Sequence, residues 1–126
     1  VNELHTCLFI NQNGKFVKTN LPEQAQFTYI SKIIADDFDN DGKKDLLLLG
    51  NHSDNRLKLG SIDAGYGILL KGDGKGNFLY VPQTISGLSI KGDVKSALDM
   101  NINQSHYIFA GVVGDKLQVY KVNNNK

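Results

Sequence analysis

Residues 37–45 read Asp-Phe-Asp-Asn-Asp-Gly-Lys-Lys-Asp and lie between two apolar runs, Ile33-Ile34-Ala35 and Leu46-Leu47-Leu48-Leu49. Carboxylates stand at loop positions one, three, five and nine, and a glycine stands at position six. Alternate side chains of a tightly turned loop converge on one point, and calcium takes about six to eight oxygen ligands. The sequence therefore predicts a cation-binding loop.

The predicted ligands of one Ca²⁺ ion are the carboxylates of Asp37, Asp39, Asp41 and Asp45 and the backbone carbonyl of Lys43. Five of the 13 acidic residues fall within residues 36–45. Carboxylates that close repel one another unless a cation neutralises them. An ordinary acidic turn is the alternative that stays open, because Asp, Asn and Gly are common in turns for backbone reasons alone.

The runs that flank this loop predict strands rather than helices. They are short, almost uninterruptedly apolar and closed by Gly50, which does not suit amphipathic helices. The helix-flanked calcium hand also requires a glutamate at position twelve of the loop, where this chain has Leu48. We therefore expect the loop to connect two strands.

The composition excludes several classes of function. The chain has 126 residues and a formal charge of +1, and its scattered basic residues give no signature of nucleic-acid binding. No apolar run approaches the roughly 20 residues that span a bilayer, so no membrane insertion is expected. His5, His52 and His106 are too dispersed for a zinc site and are expected at surface or turn positions. No arrangement of residues supports nucleophilic or acid–base catalysis, and no catalytic residue is predicted.

A repeat with a period of 62 residues relates the two halves of the chain. The stretch Gly14-Lys15-Phe16-Val17 maps onto Gly76-Asn77-Phe78-Leu79. The same shift carries Asp37 onto Asp99, whereas the other loop carboxylates map onto Asn101, Asn103 and Tyr107. We therefore predict no ion in the second copy, and we expect Asp99 to be a turn residue. Repeat one covers about residues 1–60 and repeat two about residues 63–122 of a single module, residues 1–126.

Apolar runs separated by Gly, Asn or Asp predict nine strands and no sustained helix. The predicted strands are residues 6–11, 15–19, 29–36, 45–50, 66–71, 77–82, 93–99, 106–112 and 117–122. The predicted fold class is all-β, with two antiparallel four-stranded blade-like repeats cut out of phase, as in the C-terminal part of a β-propeller. Three alternatives stay open: pairing between copies, a compact sandwich, and packing of the first strand pair beside the last sheet. Residues 52–66 are expected to form a connector, with an exposed binding edge as the alternative.

The acidic loop resembles the FG-GAP or VCBS repeat family. The integrin-alpha-like propeller blades of that family carry an Asp-x-Asp-x-Asp-Gly-x-x-Asp calcium loop between their first two strands, and residues 37–45 match it. The run at residues 63–78, followed by Ser86-Gly87-Leu88 and Gly92-Asp93-Val94-Lys95, looks like the carboxy-terminal repeats of ASPIC/UnbV-type secreted proteins. Such proteins are typical of Bacteroidetes.

This resemblance implies a calcium-stabilised β-propeller that is extracellular, periplasmic or on the outer cell surface. It also implies adhesion, ligand display or scaffolding, with no catalytic residues in the repeats. We therefore expect a non-catalytic binding or scaffold module of a larger secreted or cell-surface protein, with an unknown protein or glycan as its ligand. The alternatives are an accessory domain of a secreted polysaccharide-processing enzyme and a structural piece that self-associates through open sheet edges.

Overall fold

The computed structural model describes residues 4–27, 29–51 and 66–123, and within them the fold is all-β. The strands are β1 (Cys7–Gln12), β2 (Lys15–Asn20), β3 (Tyr29–Asp36), β4 (Asp45–Asn51), β5 (Ile68–Gly72), β6 (Phe78–Val81), β7 (Val94–Ile102), β8 (Ser105–Val112) and β9 (Gln118–Val122). The described residues contain all nine predicted strands, with ends that differ by up to three residues. The fold class is thus all-β, as predicted.

The strands form three antiparallel sheets in chain order. The first sheet is the hairpin β1-β2, the central sheet has the order β3-β4-β5-β6, and the third sheet has the order β7-β8-β9. Two one-turn helices complete the described elements, a 3-10 helix (Glu23–Gln26) and α1 (Gln83–Ser86). Each follows a proline, Pro22 or Pro82.

Short turns explain why neighbouring strands pair. Asn13 and Gly14 have φ of 53° and 84°, the left-handed conformation that two-residue hairpins favour. The Asn11 side chain accepts a hydrogen bond from the Gly14 N–H, 2.9 Å away, and closes this turn. The hairpin between β7 and β8 also turns in two residues, Asn103 and Gln104, with φ of 48° and 62°.

Strand β4 is the centre of the molecule because it is buried on both faces. Leu46 and Leu48 point into one apolar cluster, and Leu47 and Leu49 point into the other. The exposed fraction of these four leucines ranges from 0 to 8%. An uninterrupted apolar run is what a strand buried on both faces requires.

The other two sheets cover opposite faces of the central sheet. Leu8 of the first hairpin and Leu21 pack in the cluster that contains Leu46 and Leu48. Val94 and Ile108 of the third sheet pack in the cluster that contains Leu47 and Leu49. Packing of the first strand pair beside the last sheet is therefore not realised, because β1 and β2 pair with each other and cover the far face of the central sheet.

Residues 52–65 lie outside the described part of the chain, as do the predictions made for that segment and for His52. The strand predicted to begin at residue 66 begins at Ile68. Within the described ranges, no helix has the length and hydropathy needed to cross a membrane.

Candidate metal centre

The acidic loop connects β3 to β4 at one end of the central sheet, directly beyond the paired residues Asp36 and Asp45. Asp37 organises its backbone, because Oδ2 accepts a hydrogen bond from the Gly42 N–H at 2.8 Å and Oδ1 accepts one from the Asp41 N–H at 3.1 Å. Asp39 Oδ1 also accepts from the Asp41 N–H, at 3.2 Å. Gly42 has φ of 83°, a conformation that glycine adopts without strain. Hydrogen bonds from the loop's own amides thus hold the first carboxylates on the inside of the turn.

Three of the predicted ligands come together. Asp37, Asp39 and Asp45 each offer a carboxylate oxygen, and these oxygens lie within 4.8 Å of one another. Oxygens that share one calcium ion at about 2.3–2.6 Å are separated by at most about 5 Å. The three side chains therefore fit a single hard cation, and they could hold a metal ion.

The other two predicted ligands are arranged differently. Asp41 lies outside this three-residue group, and its Oδ1 accepts a hydrogen bond from the Lys43 N–H at 2.9 Å. Asp41 is also ion-paired through Oδ2, with Lys43 Nζ at 3.5 Å and Lys71 Nζ at 3.0 Å. Ligation by the Asp41 carboxylate and by the Lys43 carbonyl stays a prediction.

Asp45 is the buried member of the group, with only 2% of its surface exposed. Its Oδ2 accepts a hydrogen bond from the Phe38 N–H at 3.1 Å, and its Oδ1 accepts one from the Gly72 N–H at 2.9 Å. Burial raises the pKa of the Asp45 carboxyl above its ordinary value, although both hydrogen bonds act in the opposite direction. A cation beside Asp45 would favour the ionised carboxylate that burial disfavours.

Gly72 allows strand β5 to approach the acidic loop closely. A side chain at this position would place its Cβ 2.1 Å from the backbone oxygen of Lys44. Since no real Cβ tolerates that distance, the Gly72 N–H reaches Asp45 only because the residue is glycine. The close approach of β5 to the site thus depends on one small residue.

Phe38, at loop position two, connects the loop to the core. Its side chain belongs to the apolar cluster that contains Leu47 of the central sheet and Val94 and Ile108 of the third sheet. The ring also stacks on the imidazole of His106, with a centroid distance of 5.7 Å and an interplanar angle of 2°. The conformation of the acidic loop is therefore coupled to the packing of two sheets.

Lysines supply positive charge around the exposed part of the loop. Lys71, on β5, contacts Asp39 Oδ2 through its ammonium group and also reaches Asp41. Hydrogen bonds to Asp39 and then Asp41 raise the pKa of Lys71 above its ordinary value. The hydrogen bond from Lys71 lowers the pKa of Asp41 for the same reason. Lys71 and Asp41 are therefore both charged at neutral pH.

A second group of possible metal ligands was not predicted from the sequence. Asp36, Asp99 and His106 offer ligand atoms within 4.8 Å of one another, so they could also hold a metal ion. His106 Nε2 lies 3.2 Å from Asp99 Oδ2 and 3.5 Å from Asp36 Oδ2. Lys44 Nζ lies 2.7 Å from Asp36 Oδ1, and this hydrogen bond lowers the pKa of Asp36. The group joins β3 of the central sheet to β7 and β8 of the third sheet.

Two predictions about these residues were wrong. His106 was expected at a surface or turn position, but it lies in β8, and its side chain is only 9% exposed because it lies between Phe38 and two carboxylates. Asp99 was expected to be a turn residue at the end of the predicted strand 93–99, but β7 continues to Ile102 and pairs Asp99 with Ile108. The pairing of Asn101 with His106 on the same two strands puts Asp99 and His106 close together.

The second repeat differs from the first in backbone as well as in side chains. Its strands continue through the positions that correspond to the acidic loop, since Asn101 belongs to β7 and Asn103 and Gln104 form the turn. The eight-residue excursion between β3 and β4 is thus reduced to two residues between β7 and β8. The second repeat therefore lacks the loop that carries the alternating carboxylate oxygens in the first repeat.

Only some of these additional residues could have been found from their spacing in the sequence. Asp36 and Asp99 are 63 residues apart, one residue more than the repeat period, and could have been compared as equivalent strand ends. Lys71 carries no local signal, because its approach to the loop depends on the pairing of β5 with β4.

Comparison of the chain with protein-family models, with curated proteins and with solved structures finds no match in any of the three.

Proposed function

We propose that this chain is a non-catalytic binding or scaffold module, stabilised by one calcium ion held in the loop between β3 and β4. One observation carries the proposal: the convergence of oxygens from Asp37, Asp39 and Asp45 within 4.8 Å. Hard oxygen donors of this kind suit Ca²⁺ better than softer metals. In this role the ion takes no part in a reaction. It stabilises the loop that connects β3 to β4.

The stabilising effect would extend beyond the loop. Asp45 accepts the amides of Phe38 and Gly72, and Phe38 packs between two sheets. An ion bound to Asp45 would therefore fix the end of β5 and the packing of the third sheet together. This supports a structural role for the ion in a module whose sheets present a binding surface.

We further propose that the three stacked sheets are successive blades of a propeller that belongs to a larger secreted or cell-surface protein. The sheets follow one another in chain order and cover each other through apolar faces, as blades do. The extracytoplasmic location and the unknown protein or glycan ligand rest on the resemblance to FG-GAP and VCBS repeats. Millimolar calcium outside the cell suits a site of moderate affinity.

Thermal unfolding tests the calcium proposal. A ligand at about a hundred times its Kd adds roughly 2.7 kcal/mol to the free energy of unfolding. For a chain of this size we expect the melting temperature to rise by on the order of 10 °C between excess chelator and saturating Ca²⁺.

A matched pair of variants makes this test specific. Asp39→Asn should abolish most of the calcium-dependent shift, whereas Asp115→Asn, an exposed acid in the turn after β8, should retain it. Identical melting curves with chelator and with millimolar Ca²⁺ would overturn the proposal. Elemental analysis of protein dialysed against Ca²⁺ should find one ion per chain and gives an independent measurement.

A self-associating structural piece is the second candidate function. The observation that favours it is the outer face of the third sheet, where Leu98, Met100, Ile102 and Val119 are 42 to 50% exposed. Contiguous apolar surface of this kind usually marks an interface.

A further inference from the structure

Lys71 is the cation that the fold itself brings to the acidic loop. It lies one residue beyond the Leu46–Leu70 pair of β4 and β5, which places it beside Asp45 at the end of the central sheet. Its Nζ contacts Asp39 Oδ2 and lies 3.0 Å from Asp41 Oδ2. Both contacts are to side chains that the sequence predicts as ligands of the metal ion.

The carboxylates of Asp39 and Asp41 set the position of the Lys71 ammonium group. The Lys71 side chain is 44% exposed, so apolar packing does not confine its end. Asp39 and Asp41 are 42% and 23% exposed, which leaves this side of the loop open to solvent and to an incoming ion. On the opposite, buried side, the Asp45 oxygens accept the amides of Phe38 and Gly72 instead of a lysine.

We propose that Lys71 is an internal counter-cation that competes with the divalent ion for Asp39 and Asp41 and thereby sets the calcium affinity of the loop. The inference rests on the proposed function of the loop as a calcium site. A divalent ion and an ammonium group repel each other across a few ångströms, so binding of the ion requires Lys71 to leave the carboxylates. Affinity is then reduced in proportion to the fraction of molecules in which the loop is open to the ion.

This exchange would give the loop two properties that four aspartates alone would not combine. Lys71 neutralises part of the negative charge when calcium is scarce, so the loop keeps its conformation without the ion. When calcium is abundant the ion displaces the ammonium. The weakened affinity would bring the site toward the roughly 10⁻⁴–10⁻³ M range that suits extracellular modules.

Calcium titration of the Lys71→Met variant tests the competition directly. After dialysis against chelator and then buffer, isothermal calorimetry should give a Kd about tenfold lower for Lys71→Met than for the natural chain, from two exposed ion pairs and one removed charge. Lys71→Gln should behave like Lys71→Met, which guards against an effect of the new side chain. Lys71→Arg keeps the charge and should stay within about threefold of the natural chain.

A distant charge change provides the control. Lys116→Met removes the same charge from the turn between β8 and β9 and should leave the Kd within about twofold. Melting curves give a second readout, because the effect of Lys71→Met on the melting temperature should depend on calcium. In excess chelator Lys71→Met should melt below the natural chain, and its melting temperature should rise more on addition of Ca²⁺.

The possible outcomes separate this inference from the proposed function. Equal affinities for the natural chain and for both Lys71→Met and Lys71→Gln would overturn the role of Lys71 while leaving the calcium site in place. Absence of calcium binding in every variant would overturn the calcium site and the inference with it. Binding by Lys71→Met alone would support competition but would overturn the proposal that the natural chain uses calcium.

Discussion

The aspartates of this protein have different roles because different groups surround them. Asp45 is buried and accepts two backbone amides, so its carboxylate is fixed in one orientation. Asp39 is half-exposed and ion-paired with Lys71. Asp73, in the turn between β5 and β6, has no ion pair among the described residues and is surrounded by hydrogen-bond donors of its own turn. Residue type alone therefore does not decide which of these acids serves a metal site.

Asp73 gives a prediction about pH. Its Oδ2 accepts a hydrogen bond from the Asn77 side chain at 2.6 Å, and this bond is the main cause that lowers the pKa of Asp73 below the ordinary value of 3.8. The folded chain thus binds this proton less readily than the unfolded chain. The contribution of Asp73 to stability is therefore fully present above pH 3.8 and is lost as the pH falls through the lower folded pKa.

The Asn77→Ala variant tests this effect. Loss of the side-chain donor should raise the pKa of Asp73 toward its ordinary value, although the amides of Lys75 and residue 77 still donate to it. An NMR titration of the Asp73 carboxyl carbon between about pH 2 and 6 measures this pKa. Asn101→Ala, at an exposed position on β7, should leave the titration unchanged. Superimposable titration curves for Asn77→Ala and the natural chain would show that the hydrogen bond has no such effect.

At the level of elements, local sequence patterns predicted those features that depend only on residues close together in the chain. The acidic loop and the nine strands follow from turn chemistry and apolar runs. The buried position of His106 and the approach of Lys71 were not predictable in this way. Each depends on which sheet or strand lies opposite, and a single sequence does not contain that information.

Strand β4 gives a prediction at the same scale, because it contributes to both apolar clusters. Leu48 is 0% exposed and faces the first hairpin, and Leu47 is 1% exposed and faces the third sheet. Replacing either by Ala should reduce the free energy of unfolding by about 2–5 kcal/mol, since both leave a cavity. Ile33→Ala, at a side chain 58% exposed on β3, should cost less than about 1 kcal/mol.

Urea unfolding, followed by circular dichroism and by tyrosine fluorescence, measures these changes. Since one strand lies in both clusters, Leu47→Ala and Leu48→Ala should each shift a single cooperative transition in both signals. Two separate transitions in the Leu48→Ala variant would mean that the first hairpin unfolds independently of the other sheets. That result would contradict the view of β4 as the shared centre of the fold.

For the molecule as a whole, the unequal covering of its sheets matters most. Both faces of β4 at the centre of the molecule are covered, whereas the described residues leave the outer face of the third sheet exposed. By strand alternation this face presents Leu98, Met100, Tyr107, Phe109 and Val119. The first hairpin likewise exposes Phe9 and Phe16, with 58% and 70% of their surfaces accessible. In a propeller such faces would be covered by neighbouring blades.

The isolated chain should therefore self-associate through these faces. Sedimentation equilibrium at increasing concentration should show species heavier than the 13.9 kDa chain. Leu98→Lys or Val119→Lys should weaken association by at least about tenfold, because either variant places a charge in the apolar interface. Ile85→Lys, at a side chain 76% exposed on α1, should leave association unchanged. A single species of 13.9 kDa at every concentration would instead show that the exposed sheet face is tolerated in water, and that self-association is not its function.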